Sequence, residues 1–111
     1  MDTTVKEFKH CSVISIKGRV DSSTAPHLGQ SLEKLTKGGH YKLVVDMTGL
    51  EYMSSAGFRA LLSAQRECRR YNRGEIVLCT VPVRIREALE LAGFTELFKV
   101  FDDSLTAVGS F

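Results

Sequence analysis

The chain has 111 residues, of which 43% are hydrophobic, and this length and composition predict one compact domain over residues 1–111 with a modest core. The formal net charge of +2 is too small to favour nucleic-acid binding through the field of the whole molecule. The charged first residues are unlike a secretory signal, and no segment approaches the roughly 18 apolar residues of a membrane span. We therefore expect a cytoplasmic protein that binds neither nucleic acid nor membrane.

Two strands and a helix are predicted at the start of the chain. Apolar and polar residues alternate over Ser12–Val20, which is the period of a half-buried strand, and residues 3–8 are predicted as its hairpin partner. Residues 21–24 are a cluster of helix-capping side chains. Leucines recur behind this cluster at helical spacing until Gly38 and Gly39 end the pattern, so the first helix is predicted between them.

Strands and helices continue to alternate through the middle of the chain. Residues 41–47 and 75–81 are short, apolar and rich in branched side chains, which is typical of strands buried on both faces. Residues 55–72 carry apolar side chains along one side of a predicted helix that Gly74 closes. Another helix is predicted over residues 82–93, because Pro82 suits a first helical turn and Gly93 a helix end.

The last elements complete the predicted fold. Residues 98–101 form a short strand, and residues 102–104 supply side chains that can cap a final helical turn. The resulting order of elements predicts an α/β fold with a mixed, mostly parallel central sheet of about five strands and about four helices.

Cysteines and histidines show no pattern of a cofactor site. The cysteines, Cys11, Cys68 and Cys79, have no close spacing and are expected to be reduced, buried thiols. The histidines, His10, His27 and His40, are far apart and lack metal-ligand spacing. We therefore expect no metal and no other cofactor.

Residues 43–62 carry the strongest functional signal, because a buried strand leads through a short loop to a helix that begins at Ser54 and Ser55. Partner and ligand sites in such sheets lie beyond the carboxyl ends of the strands. The helix start also presents unpaired N–H groups and the positive end of the helix dipole. A phosphate on a serine there would add about two negative charges without unfolding the domain. A partner packed against the neutral hydroxyl would then be released.

The same residues resemble the STAS domain of bacterial anti-sigma factor antagonists. Members of that family follow a buried strand with an aromatic residue, an aliphatic residue, Asp, Ser, a small residue and Gly, which open a helix. The matching residues here are Tyr52, Met53, Ser54, Ser55, Ala56 and Gly57. Further matches are Gly18-Arg19-Val20-Asp21 at the end of an early strand, Asp46 at the end of the central strand and Ala92-Gly93-Phe94 at a late turn.

The resemblance implies a switch on Ser55. Ser55 would accept phosphate from a serine kinase that is also an anti-sigma factor, and a serine phosphatase would reset the switch. The unphosphorylated chain would sequester the anti-sigma factor and free a sigma factor. Ser54 stands where the family has Asp, which makes Ser54 a second candidate acceptor.

A surface around Ser55 is expected to face the partner. Its predicted members are Asp21, Ser22, Ser54, Ser55, Ala56, Gly57 and Arg59. Chemistry alone leaves other roles open: Ser54 and Ser55 could be simple N-caps, Asp21 could cap the first helix, and Gly57 indicates close approach of either the core or a partner. Tyr52, Leu50 and Met53 are expected to close the core beneath the loop, although exposure of the methionine or the tyrosine at a binding surface is an alternative.

Arginines on the second predicted helix suggest a further contact. Arg59, Ser63, Arg66, Arg70 and Arg73 recur at offsets that form one polar stripe. The stripe is either a solvated helix face or a surface that docks an acidic partner.

Three alternatives remain open. The chain could be a constitutive STAS adaptor in a larger signalling complex without phosphorylation. It could be a serine hydrolase with Ser55 as nucleophile, although the sequence lacks the leading glycine of a nucleophile elbow and has no histidine after Ser55. Nucleotide binding is disfavoured, because neither glycine-rich phosphate-binding motif is present.

Overall fold

The computed structural model describes residues 1–111 and contains the predicted elements in the predicted order. Its strands are β1 (Asp2–Glu7), β2 (Ser12–Val20), β3 (Lys42–Met53), β4 (Glu75–Cys79) and β5 (Lys99–Phe101). Its helices are α1 (Ala25–Lys37), α2 (Ser55–Arg69), α3 (Val83–Leu91) and α4 (Ser104–Gly109). Single 3₁₀ turns follow α2 at Arg70–Asn72 and α3 at Phe94–Glu96.

One sheet contains all five strands in the order β1-β2-β3-β4-β5. β1 is antiparallel to β2, and the other three pairings are parallel. This confirms the predicted mixed, mostly parallel α/β fold and the predicted hairpin at the start of the chain. No helix is both long and apolar enough to span a lipid bilayer.

Different helices pack on the two faces of the sheet. Successive parallel crossovers of the same hand place α1, α2 and α3 on one face, where they enclose the larger core. α4 packs on the other face, where buried Ala107 meets Val44 and Val77. The leucines predicted for the first helix are buried, whereas Val83 and Leu91 at the two ends of α3 are 72% and 91% exposed.

β3 is longer than predicted, because its last residues pair with β2 alone beyond the end of β4. Two irregularities in the register give β3 an extra residue each time, opposite Ser15–Lys17 and opposite Gly18–Arg19. Such bulges interrupt the alternation by which a strand is identified in a sequence. The expectation that Asp46 ends the central strand is therefore wrong: Asp46 lies mid-strand, where its carboxylate accepts a hydrogen bond from the backbone N–H of Thr48 at 3.0 Å.

α2 is shorter than predicted and ends at Arg69 instead of residue 72. Tyr71 and Asn72 adopt left-handed backbone conformations, with φ of 59° and 56°. Left-handed residues cannot continue an α-helix. The chain therefore turns away before Arg73, which is not on the helix that carries Arg59 and Arg66.

Candidate functional site

Two loops meet at the carboxyl edge of the sheet and form the candidate site. Val20 at the end of β2 pairs with Met53 at the end of β3. The backbone N–H of Ser54 then donates to the carbonyl of Val20 at 2.8 Å. This pairing fixes residues 21–24, which lead into α1, beside the serines that begin α2.

Ser54 is the N-cap of α2. Its backbone is extended, and its hydroxyl oxygen accepts a hydrogen bond from the N–H of Gly57 at 3.4 Å. An N-cap oxygen satisfies one of the N–H groups that have no partner within the helix. Ser54 is also half-buried, so its hydroxyl is both engaged and partly covered.

Ser55, in contrast, is exposed as the first residue of α2. Its hydroxyl makes no hydrogen bond within the chain, since the cap is supplied by Ser54. α2 has 15 residues, and its positive end lies at this serine. Arg59, one turn further along, is exposed and forms no ion pair.

Gly57 belongs to the packing beneath the site. A Cβ atom at this position would lie 2.7 Å from Cγ of Met53 and 2.8 Å from Cγ1 of Val20. Close approach of the core therefore explains the glycine. Gly57 is the one residue of the predicted partner surface that is buried, whereas Ala56 is half-buried beside it.

Asp21 shapes the neighbouring loop and does not cap α1, whose N-cap residue is Thr24. Its carboxylate accepts hydrogen bonds from the hydroxyl of Ser23 at 2.6 Å and from the N–H groups of Ser23 and Thr24 at 2.9 and 3.1 Å. These bonds, the Ser23 hydroxyl foremost, lower the pKa of Asp21. A fixed negative charge therefore stands in the loop beside Ser54, next to exposed Ser22.

The prediction that Tyr52, Leu50 and Met53 close the core is confirmed for Leu50 and Met53 and is wrong for Tyr52. Leu50 and Met53 are 3% and 6% exposed, but Tyr52 is 42% exposed. β3 continues to Met53, so Tyr52 points to the opposite face of the sheet from Met53. The guanidinium of Arg19 lies 4.5 Å from the centre of the Tyr52 ring, which places a cation and an aromatic ring just before the two loops.

The predicted arginine stripe is broken in the structure. Arg73 folds back, with its guanidinium 3.8 Å from the centre of the Tyr41 ring and 3.0 Å from the carboxylate of Glu67. Arg70 also lies 3.7 Å from that carboxylate. Arg59 and Arg66 are exposed and unpaired, so these two remain as free positive charges on α2.

Gln65 is a structural residue that the sequence analysis missed. It is 2% exposed. Its amide nitrogen donates to the carbonyls of Ile76 and Leu97 at 3.1 and 2.8 Å, and its oxygen accepts from the N–H of Ile76 at 2.6 Å. The sequence did contain a signal of its burial, because Gln65 lies on the apolar side of α2, four residues after Leu61 and three before Cys68. This side chain links α2 to the start of β4 through hydrogen bonds.

All three cysteines are buried free thiols, as predicted. Burial raises the pKa of Cys11, and it raises those of Cys68 and Cys79 to about 11. No group of three or more His, Cys, Asp or Glu side chains is placed to hold a metal ion. The buried thiols are thus part of the packing, away from the exposed serine.

We expect these thiols to be unreactive in the folded protein. At pH 8, a thiol with a pKa of about 11 is thiolate in about one molecule in a thousand, and only the thiolate attacks a disulfide reagent. Labelling with Ellman's reagent should therefore follow the unfolding transition in a urea series, with the guanidinium-unfolded chain as the reference for full reaction. Fast labelling of Cys68 or Cys79 in native protein would contradict the packing.

Known proteins share both the sequence and the fold of this chain. The family model described as the STAS domain matches residues 2–107. A Bordetella bronchiseptica protein, BtrV, assigned as an anti-sigma factor antagonist, is 31% identical over 111 residues that cover 100% of this chain and 95% of BtrV.

Solved structures of other proteins share the fold of this chain. The crystal structure of an anti-sigma factor antagonist from Mycobacterium paratuberculosis superimposes with a TM-score of 0.88 at 22% identity, covering 98% of this chain and 92% of that one. The Bacillus cell fate determinant SpoIIAA in its phosphorylated form superimposes with a TM-score of 0.75 at 13% identity, covering 99% of this chain and 100% of that one. From the family match over nearly all its length and its identity to BtrV, the chain belongs to the STAS domain family.

Proposed function

We propose that the chain is an anti-sigma factor antagonist that binds an anti-sigma factor with serine kinase activity and releases it when Ser55 is phosphorylated. The observation that carries the proposal is the exposed, unbonded hydroxyl of Ser55 at the start of α2, on an edge where two loops are fixed side by side. The identity to BtrV supports the class of partner. This function belongs in the bacterial cytoplasm, where sigma factors act.

The geometry favours Ser55 over Ser54 as the phosphate acceptor. A kinase needs access to the hydroxyl, and only Ser55 is exposed. The hydroxyl of Ser54 is half-buried and already accepts a hydrogen bond from the N–H of Gly57, so a kinase would have to displace that contact to reach it. Ser55 can gain a phosphate while that cap stays in place.

The switch acts through charge at a rigid surface. The helix dipole at Ser55 tolerates a dianion, so the sheet beneath should not change. The carboxylate of Asp21 already supplies negative charge on the neighbouring loop, and phosphate increases it. A partner packed on this edge would then have to desolvate the added charge, which favours dissociation. A serine phosphatase resets the cycle by removing the phosphate.

A hydrolase is less well supported than a regulator. A nucleophilic serine is activated by a nearby base, usually through a hydrogen bond. Ser55 makes no hydrogen bond to a histidine or a carboxylate. The exposed serine therefore fits a group that is modified better than one that attacks a substrate.

The proposal is tested by mapping phosphate. Immobilised Ser55→Ala protein should retain the kinase from a lysate of the source organism, because it binds and cannot be released by phosphorylation. The purified kinase with ATP should then add a single phosphate to wild-type protein, located at Ser55 by intact-protein and peptide mass spectrometry. Phosphate on Ser54 alone would overturn the acceptor assignment, and binding without any phosphate would instead identify a constitutive adaptor.

A further inference from the structure

We propose that the groove between α1 and α2 receives an acidic segment of the same partner that covers Ser55; this inference rests on the proposed function. The groove has a volume of about 690 Å³. We call it the α1–α2 groove. Its floor is made of small residues, since a Cβ atom on Gly29 of α1 would lie only 4.0 Å from that of Ala60 on α2. The helices touch there through small side chains, and the surface above them is hollow.

The groove begins beside the switch. Both helices connect parallel strands, so they run in the same direction, and both start at the edge that carries Ser55. Pro26, near the start of α1, lines the groove at this end, and Tyr41 lines it towards the opposite edge of the sheet. A segment of a partner that covers Ser55 can therefore continue along the groove without leaving the surface.

The acidic side chains in the groove already have partners. Glu33 pairs with Lys37 at 2.6 Å. Glu67 is bound by the two arginines that follow α2. Little unpaired negative charge is left in the groove to repel an acidic segment.

Unpaired positive charge borders the groove on α2. Arg59 and Arg66 are exposed and form no ion pair. Ser63 lines the groove and lies between these arginines at helical spacing, four residues after one and three before the other. The outer side of the groove is therefore positive, which favours carboxylates on the segment that it receives.

Charge reversal tests the acidic chemistry. We expect Arg59→Glu combined with Arg66→Glu to weaken binding of the kinase retained by Ser55→Ala at least tenfold, with the loss shrinking as salt is raised. The matched control is Arg84→Glu combined with Arg86→Glu on α3, where both arginines are also exposed and unpaired. Equal losses for the two pairs, or no loss for the first, would overturn the inference.

Filling the groove tests its shape without changing charge. Ser63→Tyr should also weaken binding about tenfold, because the ring would occupy the space between the helices. Val83→Tyr is the control, since Val83 is 72% exposed on α3 and remote from the groove. Unchanged affinity for folded Ser63→Tyr protein would show that no segment enters the groove.

A small probe separates this inference from the proposed function. Octaglutamate peptide should shift the amide resonances of Ala60, Ser63 and Ala64, and charge reversal at Arg59 and Arg66 should abolish those shifts. Shifts spread evenly over all exposed arginines, or none, would overturn the inference while leaving the Ser55 switch intact. Failure of wild-type and Ser55→Ala protein to bind any anti-sigma factor would instead overturn the proposed function.

Discussion

Ser55→Asp is expected to weaken binding of the anti-sigma factor about thirtyfold or more. The substitution places a carboxylate at the exposed start of α2, on the edge of the sheet that also carries the loop of Asp21. Leaving a charge unpaired in an interface costs about 2–5 kcal/mol, and 1.4 kcal/mol is a factor of ten in affinity. Titration calorimetry on wild-type, Ser55→Asp and enzymatically phosphorylated protein should show the largest loss for the phosphorylated form, which carries more charge.

The chain supplies a matched control for this substitution. Ser104 is the first residue of α4, directly after the N-cap Asp103, and it is exposed like Ser55. α4 packs on the other face of the sheet, so Ser104→Asp adds the same charge at the same helical position away from the candidate site. Ser104→Asp should leave affinity unchanged. A similar loss in both variants would assign the effect to net charge and refute a local switch.

Gln65→Leu is expected to lower the free energy of unfolding by about 3 kcal/mol. Leucine fills a similar volume but leaves the N–H and carbonyl of Ile76 without their side-chain partner, whereas the carbonyl of Leu97 keeps its hydrogen bond from Arg69 at 3.1 Å. Each buried backbone group left unpaired costs about 1–3 kcal/mol, and a small domain has only about 5–15 kcal/mol in total. Urea denaturation followed by circular dichroism measures the change.

Gln30→Leu is the control, because Gln30 is exposed on α1 and makes no such bonds. Its free energy of unfolding should stay within about 0.5 kcal/mol of wild type. If Gln65→Leu were as stable as wild type, the three hydrogen bonds would contribute no net stability to the junction of α2 and β4.

Most of the fold could be predicted because its pattern is local. The leucines of α1 recur at helical spacing and are buried, and the apolar run at the centre of β3 lies between β2 and β4. The capping side chain of Asp103 was also a reliable signal, since it accepts from the N–H of Thr106 at 2.7 Å. In each case, residues close in the chain determine the structure.

The errors in the predicted elements arise where residues distant in the chain determine the local structure. Residues 48–53 contain a glycine and no regular alternation, so their pairing with β2 could not be identified from the segment alone. For the same reason the exposure of Tyr52 was missed. The end of α2 depends on left-handed conformations at Tyr71 and Asn72, which neither residue type requires.

The candidate site was only partly predictable. The motif predicted two serines at the start of a helix, but only the structure separates the N-cap Ser54 from the exposed Ser55. The sequence alone could not decide whether the core or a partner approaches Gly57. Its close approach to Met53 and Val20 shows that it is the core. The unpaired Arg59 and Arg66 could not be separated from Arg73, because the structure places Arg73 against Tyr41, which is 32 residues away in the chain.

The strand order suggests how the molecule is assembled as it is made. Strands that are consecutive in the chain are hydrogen-bonded neighbours in the sheet, so the sheet widens in one direction from the first strand to the last. A nascent chain leaving the ribosome therefore finds the neighbour of each new strand already synthesised. The edge that carries Ser55 depends on β2 and β3, so its framework can form before the final strand has emerged.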